Sequence, residues 1–146
     1  MAPLDRVQTA DTIAKQLGNA NIKDVVIEQK KEGVSVSLNN IHFVADQAVF
    51  LPDEVPRLEA LAGALKLIDG RSFRVVGHTA AIGTTESQYD LSVKRAKAVV
   101  DFLASRGIRA DRFLYEGRGG DEPVAPSDTE ENMAKNRRVE VFILED

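Results

Sequence analysis

Arginine is the residue type in this sequence best placed to do chemistry. Residues 87–120 carry seven Lys or Arg against four acids, a local charge of +3 in a chain whose net charge is −4. Most of these side chains read as a solvated helix face, but Arg95 stands immediately before Ala96 at the edge of an apolar helical stripe. A planar guanidinium at such a boundary, close to the loop 77–87, is suited to clamp both oxygens of a carboxylate. A local salt bridge is an equal alternative on spacing alone. Arg137 and Arg138 open a strand-like run, where period-two alternation sends one to each face.

Other chemistry is poorly represented. His42 and His78 have no carboxylate at metal-ligand spacing, so both read as hydrogen-bonded histidines rather than ligands. Gly117-Arg118-Gly119-Gly120 has the look of a phosphate cradle. No helix follows it and Asp121-Glu122 would repel an anion, so it reads as a turn needing positive φ. The nucleophile-elbow, zinc-protease and P-loop signatures are absent. With no cysteine, thiolate catalysis, disulfides, Cys-ligated zinc and iron–sulfur clusters are excluded. The residues imply no cofactor. The acidic balance argues against nucleic-acid binding, which needs clustered cations. No apolar run is long enough for a membrane-spanning helix. The opening segment, Met1 to Arg6, shows no basic stretch leading into an apolar one, which fits either a cytosolic chain or a mature fragment.

The elements that must position these side chains are legible in outline. At 146 residues the chain is about one domain. Val7, Ala10, Ala14 and Leu17 mark a short helix stopped at Gly18. The spacing predicts a hairpin over 24–39 around Lys30-Lys31-Glu32-Gly33. Ile41 to Val44 reads as more strand. A helix capped by Asp53 follows, with Val55, Leu58, Ala62 and Leu65 inward. Ser72 to Val76 is a strand, 77–87 a loop, and Gln88 to Arg106 the strongest helix, closed by Gly107. A strand over 112–116, a turn-rich loop to Thr129, a helical turn or two and a strand over 138–144 complete the chain. From residue 34 the order is β-α-β-α-β-loop-β. This makes a two-layer α/β sandwich, preceded by a helix and hairpin extension over 1–40, with the main domain over 41–146.

From about Phe43 to Leu144 the sequence resembles the OmpA-like C-terminal domain, shared by the stator protein MotB and the peptidoglycan-associated lipoprotein. The resemblance is carried by Gly77-His78-Thr79 with Ile82-Gly83, by Leu91-Ser92-x-x-Arg95-Ala96, and by Leu103-x-x-x-Gly107-Ile108. Gly117-x-Gly119 with Pro123 and Asn136-Arg137-Arg138-Val139-Glu140 continue it in order. It implies a β-α-β-α-β-β mixed sheet and a periplasmic module that holds an envelope protein to the cell wall. The implied partner is the peptidoglycan stem peptide, recognised at diaminopimelate or a related diamino acid. By the same resemblance Arg95 takes the ligand carboxylate, an acid directly after Gly-His-Thr takes its ammonium, and an Asn ahead of the long helix and the Asn136-Arg137-Arg138 run support the pocket. Two positions depart: the expected acid is Ala80 and the expected Asn is Gln88. The side chains to locate are therefore His78, Thr79, Ala80, Gln88, Arg95, Asn136, Arg137 and Arg138.

Two functions stay open at this level. One is a wall-binding module with weakened or altered ligand preference. The other is a degenerate member that keeps the fold as a structural or protein-interaction module. Glu86 and Asp90 are the acids near enough in sequence to replace the missing one. Catalysis is disfavoured, since no nucleophile–base pair or metal constellation is recognisable.

Overall fold

The structure, a computed structural model, describes residues 3–145, so the first two residues of the opening segment and Asp146 lie outside it. Its elements are α1 (Arg6–Asn19), β1 (Val25–Lys30), β2 (Gly33–Asn39), α2 (Val55–Leu65), β3 (Phe73–His78), α3 (Thr85–Ser105), β4 (Phe113–Gly117), α4 (Glu130–Asn136) and β5 (Arg138–Leu144). The strands form one mixed sheet in the order β1-β2-β5-β3-β4. β3 and β4, joined through α3, are parallel, while β5 is antiparallel to both its neighbours. This is the expected two-layer α/β sandwich. The last strand in the chain lies in the middle of the sheet, where six of its seven residues are buried.

The alternation seen in the sequence sorts the sheet's two faces. Val34, Val36 and Leu38 of β2 and Val139, Val141 and Ile143 of β5 enter one core with α2 and α3. The intervening Ser35, Ser37, Glu140 and Phe142 lie on the opposite face and are also buried. The hairpin joins the sheet through β2, which pairs with β5 from Gly33↔Leu144 to Asn39↔Arg138.

Three local expectations are corrected. The buried stripe of α1 is Thr9, Ile13 and Leu17, with Val7 exposed. Ile13 carries more apolar area than Ala10 or Ala14, and its burial sets the rotation of the helix. Ile41 to Val44 is not a strand. A single bridge joins Phe43 to Phe50, whose rings stack at 4.7 Å, and the chain between them turns sharply at Asp46 (φ 57°). Asp53 does not cap α2, because a 3-10 turn over Pro52–Glu54 comes first. Its carboxylate instead meets His42 Nδ1 at 2.7 Å. The buried Glu54 accepts from the His42 amide (2.9 Å) and from Arg57 Nε (2.6 Å), and Arg57 also donates to the Asn39 carbonyl. This bridge fastens the start of α2 to the end of β2.

Candidate functional site

The site is built where β3 hands over to α3. β3 runs two residues further than its apolar pattern suggests and carries Gly77 and His78 inside the strand. A Cβ on Gly77 would lie 2.2 Å from the Ser92 carbonyl oxygen, and one on Gly117 would lie 2.2 Å from Ser92 Oγ. These two glycines let α3 pack directly on the backbone of β3 and β4. The Ser92 hydroxyl seals that contact, donating to the Tyr89 carbonyl (2.7 Å) and accepting from the Gly119 amide (2.9 Å). Gly119 has φ 55°, so the glycine-rich loop is the tight turn expected, committed to packing on α3.

α3 begins at Thr85, with the Thr84 hydroxyl accepting from the Ser87 amide. Gln88, one turn in, donates its amide to the Gly83 carbonyl at 3.0 Å and holds the preceding loop. Two turns further on, Arg95 leaves the helix on the side of the loop between Phe43 and Phe50.

The Arg95 side chain ends in an open cavity of about 760 Å³. Five of the expected residues line it: Thr79, Ala80, Gln88, Arg95 and Arg137. Leu91, Ile82 and Phe43 add apolar walls, and Asp46 and Glu130 add carboxylates. Arg95 is only 6 % exposed. Its guanidinium lies over the Phe43 ring, 4.6 Å from the centroid, and Nε donates to the Gln47 carbonyl at 3.0 Å. Among the described residues no carboxylate pairs with it. Burial lowers its pKa most, Arg137 lowers it further and Asp46 opposes the shift. A buried cation without a counter-ion carries an unrecovered desolvation cost, which an incoming carboxylate would offset.

Three expected residues lie elsewhere. Asn136 is fully buried, and its amide accepts from the Val124 and Ala125 backbone and donates to the Ala125 carbonyl. It pins the 117–129 loop. His78 and Arg138 face each other in register on the other face of the sheet. Glu140 Oε1 lies 2.8 Å from His78 Nε2 and 3.5 Å from Arg138 Nη2, which donates to the Glu122 carbonyl. Hydrogen bonding by His78 outweighs burial and holds the Glu140 carboxyl at a pKa of about 2. Arg137 and Arg138 do diverge as alternation requires. Arg137 reaches the cavity, where it pairs with Glu130 at the start of α4.

The signals for Phe43 and Asp46 were weak in sequence, because a polar–apolar stretch of that length reads as strand. Glu86 and Asp90 are exposed and do not line the cavity. Among the described residues no group of His, Cys, Asp and Glu could hold a metal ion.

A buried guanidinium thus faces an open cavity on a β-α-β-α-β-β frame. Residues 42–137 match the OmpA family, and the chain belongs to that family. It is 36 % identical over 102 residues to outer membrane protein A of Bordetella avium, covering 70 % of this chain and 53 % of that protein. It is 35 % identical over 103 residues to the peptidoglycan-binding protein ArfA of Mycobacterium tuberculosis, covering 70 % of this chain and 32 % of that one. The chain thus spans about half and about a third of these two relatives. Among solved structures, the cell wall anchor of the T6SS from Pseudomonas aeruginosa superposes with a TM-score of 0.78 at 30 % identity, over 92 % of this chain and 97 % of that one. Members of this family are structural binding proteins rather than enzymes.

Proposed function

We propose that this domain binds peptidoglycan non-covalently and holds an envelope protein to the cell wall from the periplasmic side. The ligand is the stem peptide, at diaminopimelate or a related diamino acid, and Arg95 takes its carboxylate. One observation carries the reading: Arg95 is buried at an open cavity with no carboxylate partner among the described residues. Arg138, equally buried, has Glu140 beside it and the Glu122 carbonyl to bond, which is how a purely structural arginine is satisfied. The wall-binding relative and the wall-anchor structure support the assignment.

The test is co-sedimentation with isolated wall sacs. Wild type should pellet with the sacs and Arg95→Ala should stay in solution, because truncating one member of a desolvated charge pair costs about 2–5 kcal/mol. Ala80→Asp should bind more tightly. Equal pelleting of wild type and Arg95→Ala would remove this cavity as the binding site.

The competing reading is a scaffold that has lost wall binding. It is favoured by Ala80, which puts a methyl group on the cavity wall where the resemblance expects an acid. Millimolar muropeptide giving no shift perturbation in wild type would decide for it.

A further inference from the structure

Ala80 leaves the ammonium of a diamino-acid ligand without its expected partner, and the structure offers a substitute from another element. Four acids lie near Arg95 in sequence or space. Glu86 and Asp90 lie outside the cavity lining. Glu130 lines the cavity but is already paired with Arg137. Asp46, on the exposed tip of its loop, lines it too, and among the described residues its carboxylate has neither a hydrogen bond nor an ion pair and so is free to turn to a ligand.

We infer that Asp46 reads the ammonium, so that Arg95 and Asp46 together hold the carboxylate and the ammonium of one amino-acid terminus. The inference rests on the carboxylate-clamp reading of Arg95 above and adds the other half of the ligand.

The loop geometry holds the Asp46 backbone beside the guanidinium. Val44 and Val49 close the loop through an amide–carbonyl bond of 2.7 Å, and the Gln47 amide donates to the Val44 carbonyl at 3.0 Å. The Gln47 carbonyl, one residue beyond Asp46, accepts from Arg95 Nε. The loop is therefore fastened directly to the side chain that takes the carboxylate. Asp46 has φ 57°, a left-handed conformation that Asp and Asn tolerate better than most residues, so its backbone needs no rearrangement to stay there. Asp46 and Arg95 make no ion pair with each other, yet Asp46 favours the charged form of Arg95. Two opposite charges on one open cavity, neither in an ion pair among the described residues, match a ligand carrying both charges on one carbon. Had they been in contact they would have satisfied one another. A terminus with its ammonium acylated or its carboxylate amidated offers only half of that match.

The test titrates the full chain, followed by amide chemical shifts, with the tripeptide N-acetyl-L-Ala-γ-D-Glu-meso-diaminopimelate, whose single free ammonium is on the diaminopimelate. A second titration uses the same N-acetyl tripeptide acetylated on the diaminopimelate ammonium as well. Asp46→Asn should bind the free-ammonium tripeptide about ten- to hundredfold more weakly than wild type, the loss expected for one hydrogen bond to a charged group. Adding Ala80→Asp to Asp46→Asn should restore binding. The doubly acetylated probe should bind wild type and Asp46→Asn equally weakly. Asn and Gly both accept the left-handed backbone, so Asp46→Gly serves as a second folded variant and should lose the same affinity. Binding by both variants within about twofold of wild type, with Arg95→Ala still inactive, would overturn the role of Asp46 and leave the carboxylate clamp standing. No uptake of the free-ammonium tripeptide by wild type or by Ala80→Asp would overturn the clamp and this inference together.

Discussion

Arg95 and Glu140 show how opposite environments decide what a buried charge is for. Glu140 is surrounded: His78, Arg138, Lys30 and the Ser35 hydroxyl face it from β3, β5, β1 and β2. Its carboxyl is depressed from 4.5 to about 2, chiefly by the hydrogen bond from His78. A depressed acid stabilises the fold fully above its unfolded value and loses that contribution as pH falls through the folded one. Stability should therefore be constant in this contribution above about pH 4.5 and decline toward pH 2. The decline amounts to roughly 2–3 kcal/mol. Glu140→Gln should be less stable than wild type at pH 7 and flatter across that acid window, as read from urea unfolding at stepped pH. An unchanged acid slope in the variant would place the linkage elsewhere. Among the described residues Arg95 has no carboxylate in ion-pair contact, only the Gln47 carbonyl and the Phe43 ring, which is what motivates the proposed ligand role. Spacing singled out Arg95 and the Arg137-Arg138 pair without ranking them, and only the resemblance gave Arg95 the carboxylate, because a side chain's burial beside Glu140 or beside a cavity leaves the same trace in an apolar pattern.

At the scale of elements, the position of the cavity depends on how closely α3 approaches β3. Gly77 is buried against the Ser92 carbonyl, where no side chain fits. Gly77→Ala should force the helix away from the strand and cost about 1–3 kcal/mol, the usual range for overpacking. It should also weaken ligand binding beyond its effect on stability, since Arg95 stands one turn after Ser92 on the displaced helix. Melting temperature and tripeptide titration on the same sample separate the two effects. The long helix, the hairpin and the final strand were readable from periodicity, because each buries one face and its pattern is dominated by that burial. The loop between Phe43 and Phe50 was not. Its fold comes from a ring stack and a contact with an arginine 48 residues away, neither of which leaves a periodic signal.

For the molecule as a whole, the question is what residues 1–40 contribute. The OmpA match begins at residue 42, but the sheet does not. β2 lies against the full length of β5, and Ile13, Leu17, Val34, Val36 and Leu38 belong to the same apolar core as α2 and α3. Arg6 adds an ion pair from α1 to Glu145, at the far end of the chain. A chain beginning at residue 41 would expose the edge of β5 along seven residues. Such a chain should show no cooperative urea transition and should self-associate, as measured by circular dichroism and sedimentation. Cooperative unfolding of a monomer would make 41–146 an independent domain.

The sequence by itself determined the class of fold, because apolar spacing records which face of each element must leave water, and that preference is local. It also determined the family, through short motifs whose order survives without any coordinates. The tertiary structure alone decided that the last strand lies at the centre of the sheet, that His78, Asn136 and Arg138 are spent on internal contacts, and that Asp46 stands open beside the Arg95 cavity. Those outcomes depend on which distant groups compete for the same hydrogen bond or charge, and such competition is settled only when the chain has closed on itself.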